Sequence, residues 1–138
     1  MATDEGRAHP PLRVLLVEDE FVVSMSLRAQ LEAVGCEVVA IARDANSAVA
    51  MAGSLRPDLI VMDIGLRGGS GVQATQEIME AAPTRIIVVT AYADDRIQQA
   101  LEAGAARALL KPVLEEQLAK AIAEVTGREV GRARREGG

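Results

Sequence analysis

The chain has 138 residues, of which 49% are apolar and 25% charged, and its 20 acidic and 15 basic residues give a net charge of -5. This length and composition predict one globular domain and exclude a fibrous or largely disordered chain. The acidic balance argues against a general nucleic-acid binder, because such binders need clustered Lys and Arg.

The cysteine, histidine and apolar content of the chain excludes further classes of protein. Cys36 is the only cysteine, which excludes an internal disulfide or a cysteine zinc site, and we expect a small core residue in a reducing cytoplasm. The only histidine, His9, lies in a polar leader, which argues against hydrolases that use a histidine base. No segment approaches the ~20 apolar residues of a membrane span.

Short apolar runs alternate with segments of helical periodicity along the chain. Gly35 suits the position that ends a helix, and Pro57 and Pro83 each stop one. In chain order, the predicted elements are a strand at 14–17, a helix at 21–34, a strand at 37–42, a helix at 46–55, a strand at 59–63, a helix at 72–81, a strand at 85–90, a helix from Asp94 or Asp95 to Gly104, a strand at 106–110 and a helix at 113–125.

Strands that are apolar on both faces and alternate with helices indicate a parallel sheet, because helical crossovers bury both of its faces. The predicted fold is therefore α/β, a doubly wound five-stranded parallel sheet in a (βα)5 flavodoxin-like three-layer sandwich. We expect one domain at 12–126, between a disordered leader at 1–11 and a flexible tail at 127–138. The side chains expected to face inward in the last two helices are Ile97, Ala100 and Leu101, and then Leu114, Leu118, Ile122 and Val125.

Four of the five predicted strands end in polar residues: Glu18 and Asp19, then Asp63, Thr90 and Lys111. Ligands bind at the carboxyl ends of the strands in open parallel sheets. Three carboxylates meeting there would repel one another and need a cation, and Mg²⁺ prefers oxygen ligands. A hydroxyl and an ammonium suit phosphoryl oxygens. The pattern indicates a phosphoryl-transfer site with Asp63 as nucleophile.

Each of these residues also has a purely structural interpretation. Glu18 and Asp19 could be acidic residues favoured by a helix dipole, Asp63 a strand-end cap and Lys111 a solvated surface lysine. The glycines after Asp63 either form a loose surface turn or serve the site, with position 65 lacking a Cβ so that its backbone takes an unusual φ and closely approaches a ligand. Those loop glycines are Gly65, Gly68, Gly69 and Gly71.

Four motifs follow one another along the chain: "VLLVEDE", "DLIVMDIGL", "VVTAY" and "GAARALLKP". In this order they resemble the receiver domains of two-component response regulators, and the resemblance covers nearly all of residues 12–126. It implies a phosphorylation-activated switch in which a sensor histidine kinase or a histidine phosphotransfer protein donates a phosphoryl group to Asp63. It implies no enzyme activity beyond the chain's own phosphorylation and dephosphorylation.

The resemblance also implies a role for each residue at the sheet edge. It implies that the Lys111-Pro112 peptide bond is cis. The output surface would be the face of the fourth helix, the fifth strand and the last helix, which would bind a downstream protein or a second copy of the chain. The implied site has Mg²⁺ held by Glu18, Asp19, Asp63 and the carbonyl of Gly65, phosphoryl oxygens held by Thr90 and Lys111, and backbone N–H groups supplied by Gly65 and Ala91.

Two positions depart from the family pattern. Ala108 stands on the fifth strand where receivers usually have Tyr or Phe, so the usual aromatic switch is missing. Tyr92 is the only tyrosine, and it either substitutes for that aromatic or simply covers the sheet edge. Arg67 stands where the family commonly has Pro, which predicts a less rigid loop.

The alternative function is a Mg²⁺-dependent aspartyl-phosphate phosphatase or phosphotransferase of the haloacid dehalogenase type. Those enzymes need a second aspartate two residues after the nucleophile, where this chain has Gly65. A nucleotide-binding Rossmann domain is less consistent with the sequence, because no glycine-rich phosphate motif follows the first strand.

Overall fold

The computed structural model describes residues 10–128, which form five strands and five helices in the predicted order. Their ends lie within about two residues of the predicted ones, the usual uncertainty of helix ends. The strands are β1 (Arg13–Val17), β2 (Glu37–Ala42), β3 (Leu59–Asp63), β4 (Arg85–Thr90) and β5 (Arg107–Leu110). The helices are α1 (Phe21–Ala33), α2 (Ala45–Leu55), α3 (Gly71–Ala81), α4 (Asp95–Glu102) and α5 (Glu115–Thr126).

The strands form one parallel sheet in the order β2-β1-β3-β4-β5. The first strand, β1, lies in the sheet interior, the chain then moves out to β2 at one edge, and it crosses back to β3. Strand order therefore reverses at the boundary between β1 and β3, and the helices that follow these two strands leave a crevice at their carboxyl ends. The predicted doubly wound sheet is confirmed, and its switch point lies next to Asp63.

The sheet is covered on both faces by apolar side chains that alternate along each strand. Val14 and Leu16 of β1 pack with α1 and α5, whereas Leu15 and Val17 pack with α2 and α3. Both clusters consist of residues with almost no exposed surface. This two-sided burial explains why the strands read as continuous apolar runs.

Two residues predicted to face inward do not. Leu101 is 36% exposed and Leu114 is 59% exposed. The buried residue of α4 is Ala100, and successive helical residues point about 100° apart, so Leu101 turns outward. Leu114 precedes α5 as its N-cap in an extended conformation, ahead of the face that the helix buries.

Two predictions about the end of α1 are confirmed. Gly35 follows the helix with φ of 94°, a left-handed conformation that glycine adopts without strain. Cys36 comes next and is only 6% exposed in the core. Burial raises the pKa of the Cys36 thiol to about 11.

Most of the predicted leader at 1–11 and tail at 127–138, including His9, lies outside the described residues. At the boundary, Gly127 ends α5 with φ of 74°, and Arg128 donates a hydrogen bond to the Pro10 carbonyl. Within residues 10–128, every helix is too short or too polar to cross a bilayer.

Candidate functional site

Glu18 is the first acidic residue after β1 and is fully buried. One of its oxygens, Oε1, accepts a hydrogen bond from the Lys111 ammonium at 2.7 Å, and Oε2 accepts one from the Glu20 backbone N–H at 3.1 Å. Burial raises the pKa of Glu18, and the charge of Asp63 adds to the rise, while the bonds from Lys111 and Glu20 oppose it. The carboxylate is therefore retained in the interior by its ammonium partner.

Asp63 ends β3 and is 5% exposed. Its Oδ1 accepts a hydrogen bond from the Gly65 backbone N–H at 2.8 Å, and its Oδ2 lies 3.3 Å from the Lys111 ammonium. The strand pairing continues one residue further, where the N–H of Ile64 bonds to the Val89 carbonyl at 3.2 Å. The Asp63 carboxylate is thus fixed by β3, by the loop that follows it and by the cation that follows β5.

The expected role of the Gly65 backbone is wrong in one respect. Gly65 does not have a positive φ, unlike Gly69 in the same loop. A Cβ added at position 65 would meet only the Oδ1 atom of Asp63, at an ordinary 3.4 Å. The site therefore uses the N–H of this residue without requiring glycine's conformational freedom there.

Lys111 follows β5 and contacts two carboxylates, those of Glu18 and Asp63. Its backbone N–H bonds to the Thr90 carbonyl at 2.7 Å, which extends the β4–β5 pairing to the strand ends. Burial lowers the pKa of Lys111, but the bond to Glu18 and the two negative charges outweigh it, so the pKa lies above its ordinary value. The Lys111-Pro112 peptide is cis, as the resemblance implies.

Oxygen atoms from Glu18, Asp19 and Asp63 all lie within 4.8 Å of one another. Among residues 10–128, the cations in contact with these three carboxylates are Lys111 and Arg67, so three negative charges meet two positive ones. Hard oxygen donors with excess negative charge are the environment that Mg²⁺ prefers. The residues present therefore fit a divalent cation.

Asp19 contacts the β3–α3 loop. Its Oδ2 accepts two hydrogen bonds from Arg67, one from the backbone N–H and one from the guanidinium Nε, both at 3.0 Å. Partial burial raises the pKa of Asp19, but the Arg67 hydrogen bonds and charge outweigh it and hold the pKa below its ordinary value. Arg67, noted from the sequence only as a departure from proline, is thus part of the site.

Thr90 ends β4 and is fully buried. Its hydroxyl accepts the N–H of Tyr92 at 3.2 Å and lies 3.3 Å from the Tyr92 carbonyl, so it is bonded to the backbone of its own loop. The Tyr92 ring is 64% exposed, with the Arg96 guanidinium over it at 6.0 Å from its centroid. Ala108 is half-buried on β5, where it pairs with Val88 of β4.

A cavity of about 260 Å³ opens at the carboxyl ends of the strands. The sequence did not single out Glu20, which reaches this cavity because it follows the acidic pair and directly precedes α1. The residues that line the cavity are Asp19, Glu20, Asp63, Gly65, Arg67, Thr90, Ala91, Tyr92 and Lys111. All predicted site residues thus lie at this edge, with Glu18 buried beneath it.

Gly71 has a role that the sequence did not reveal. It begins α3, and a Cβ built there would lie 2.6 Å from the Asp63 carbonyl oxygen and 2.6 Å from the Ile64 Cα. Only glycine allows the helix to approach the end of β3 this closely. The available signal was the position of Gly71 as the last loop residue, directly before the helix predicted at 72–81.

Comparison with known proteins agrees with this architecture. Residues 14–123 match the sequence model of the response regulator receiver domain family. The chain is 36% identical over 121 residues to the transcriptional regulatory protein PdtaR of Mycobacterium tuberculosis, covering 87% of this chain and 59% of that protein. It is 40% identical over 114 residues to the transcriptional regulatory protein LiaR of Bacillus subtilis, covering 80% and 54%. The chain thus spans a little over half the length of these two relatives.

A solved structure agrees with the fold. The response regulator domain of Thermotoga maritima CheB superposes with a TM-score of 0.78 at 30% identity, covering 86% of this chain and 98% of that domain. Because the family match spans most of the chain and the structural match retains the same five-stranded architecture, the chain belongs to the response regulator receiver domain family.

Proposed function

We propose that Asp63 accepts a phosphoryl group from a phosphohistidine of a sensor histidine kinase or a histidine phosphotransfer protein. The observation that carries this assignment is the double contact of Lys111, whose ammonium binds both Asp63 and the buried Glu18. It places a fixed positive charge beside one carboxylate at the edge of a cavity that also includes Thr90. A nucleophile, a cation and a hydroxyl are the groups that phosphoryl transfer to a carboxylate needs.

In the proposed step, a carboxylate oxygen of Asp63 attacks phosphorus and forms an O–P bond. The P–N bond to the donor imidazole breaks, and its electron pair stays on the imidazole nitrogen. The product is an acyl phosphate on residue 63. Its oxygens would lie near the Lys111 ammonium, the Thr90 hydroxyl and the backbone N–H groups of Gly65 and Ala91, an arrangement that stabilises developing negative charge.

Glu18, Asp19, Asp63 and the carbonyl of Gly65 would hold Mg²⁺. The ion supplies charge neutralisation for the phosphoryl oxygens as they approach the acidic cluster. Glu18 would supply its oxygen from beneath the cavity, where its side chain is buried and bonded to Lys111. Asp19 and Asp63 line the cavity itself.

Phosphorylation would then change which protein the domain binds. The Thr90 hydroxyl is bonded to the Tyr92 backbone, so its reorientation toward a phosphoryl oxygen would release those bonds and free the β4–α4 loop. That loop leads to the face of α4, β5 and α5, where a downstream protein or a second copy would bind. The exposed apolar residues at this face and loop are Tyr92, Leu101, Leu110 and Leu114. Two conformations of similar free energy suffice for such a switch.

The proposed function is tested by incubation with acetyl phosphate and Mg²⁺, followed by intact-mass spectrometry. The chain should gain the mass of one phosphoryl group, and Asp63→Asn should gain none. A chain that instead turns over phosphomonoesters catalytically would be the haloacid dehalogenase-type phosphatase. A chain that gains no mass from acetyl phosphate or from a phosphorylated histidine domain would contradict the proposal.

A further inference from the structure

The guanidinium of Arg67 lies on one of the three clustered carboxylates. Its Nε donates to Asp19 Oδ2 at 3.0 Å, and Asp19 belongs to the carboxylate set whose oxygens lie within 4.8 Å of one another. Arg67 also lines the cavity. A side-chain cation is therefore in contact with a carboxylate that would otherwise be open to a metal ion.

The two cations of the site are held differently. The Lys111 ammonium is 18% exposed and contacts Glu18, whose side chain is 0% exposed, and Asp63 at 6%. The Arg67 side chain is 76% exposed and contacts Asp19 at 12%. An exposed guanidinium can leave for solvent at little free-energy cost, whereas removal of Lys111 would leave a buried carboxylate unpaired.

The loop itself does not depend on the guanidinium. The Arg67 backbone N–H donates separately to the same Asp19 oxygen at 3.0 Å, and the Gly68 carbonyl accepts the Ala45 N–H at 2.9 Å. Substitution of the Arg67 side chain thus removes the charge while these backbone bonds retain the loop. This separation makes the effect of the guanidinium measurable.

We propose that Arg67 competes with Mg²⁺ for Asp19, so that the guanidinium must leave this carboxylate when the metal enters and the resting affinity for Mg²⁺ is reduced. The inference rests on the proposed function, because it takes the acidic cluster to be the metal site. As a consequence, one loop residue sets the Mg²⁺ concentration that the receiver needs for metal binding and for phosphorylation.

The expected size follows from the exposure of the contact. An exposed ion pair changes an equilibrium by a factor of about two to five. A released guanidinium still repels a divalent ion a few ångströms away, through solvent, by a further small factor. We expect Arg67→Gln to bind Mg²⁺ about three- to tenfold more tightly than the wild type, with the difference shrinking as salt is added.

The test is a calorimetric Mg²⁺ titration of the full chain, of Arg67→Gln and of Arg28→Gln. Arg28 pairs with Glu32 along α1, so its replacement makes the same change in net charge without touching the cluster. In parallel, the Arg67 side-chain Nε–H resonance of the ¹⁵N-labelled chain is followed during the titration. On saturation with Mg²⁺ it should move toward the position that it has in metal-free Asp19→Asn.

Tighter binding by Arg67→Gln alone, together with that movement, supports the competition. If the wild type binds Mg²⁺ but Arg67→Gln binds it equally or more weakly, the inference is wrong and the proposed metal site stands. An Arg67 Nε–H resonance that stays in place at saturation also overturns it. If neither the wild type nor Arg67→Gln binds Mg²⁺, the metal part of the proposed function fails and the inference fails with it.

Discussion

Replacing Gly71 by Ala should disturb the proposed acceptor through the backbone alone. The added Cβ would lie 2.6 Å from both the Asp63 carbonyl oxygen and the Ile64 Cα, where ordinary contacts begin at 3.4 Å. Backbone atoms on one side or the other must therefore retreat by about 0.8 Å. Neither side moves easily, because Asp63 belongs to the central strand β3 and residue 71 begins α3.

Overpacking of a well-packed interior typically costs about 1–3 kcal/mol. Because the obstacle here is backbone rather than a flexible side chain, we expect the free energy of unfolding to fall by about 2–4 kcal/mol. The matched control is Gly53→Ala, in the last turn of α2, where an added Cβ meets nothing within 4 Å. That variant should be stabilised by about 0.5–1 kcal/mol through helix propensity and reduced chain entropy.

Urea unfolding followed by circular dichroism measures both variants, and the Asp63 backbone resonances report the local displacement. A Gly71→Ala variant within about 0.5 kcal/mol of the wild type would refute the close-packing argument. So would equal effects at the two positions, since glycine content rather than contact with Asp63 would then explain the change.

Three further predictions concern single groups. Lys111→Met should lower the free energy of unfolding by about 2–4 kcal/mol, because it leaves the buried Glu18 unpaired. The loss should be larger at pH 8 than at pH 5, since without the Lys111 bond the pKa of Glu18 rises further, and a protein with a raised carboxyl pKa loses stability as pH rises. Denaturation of the control variant Lys120→Met should match that of the wild type. Cys36, with its pKa raised from 9.0 to about 11, should be alkylated at pH 8 about 100-fold more slowly than in the urea-unfolded chain, and equal rates would contradict its burial. Beryllofluoride with Mg²⁺ should change the fluorescence of Tyr92 in the wild type but not in Thr90→Ala, and an unchanged wild-type signal would remove Tyr92 from the switch.

The sequence predicted the sheet because its constraints are local. The run from Leu59 to Met62 is apolar at every position, which is typical of a strand buried on both faces. Parallel pairing then brings all strand ends to one edge, so Asp63, Thr90 and Lys111 could be placed together before any coordinates were known.

The sequence could not predict contacts that depend on the path of a loop. The hydrogen bonds from Arg67 to Asp19 join residues 48 positions apart in the chain, and no periodicity relates them. Of the two loop glycines nearest the site in this respect, Gly71 needs its missing Cβ and Gly65 does not, because the approach of α3 to β3 is a property of packing between elements. Leu101 was misplaced for a related reason, since a helix as short as α4 gives few positions from which to fix its buried face.

We propose that the carboxylate of residue 63, and no neighbouring acid, receives the phosphoryl group. The most direct measurement is to phosphorylate the chain with acetyl phosphate and Mg²⁺, reduce it with borohydride, and sequence the peptides by mass spectrometry. Reduction of an acyl phosphate leaves a homoserine in place of the aspartate, and we predict it at position 63. A reduced residue at Glu18 or Asp19, or none in a chain that has gained the phosphoryl mass, would contradict the assignment.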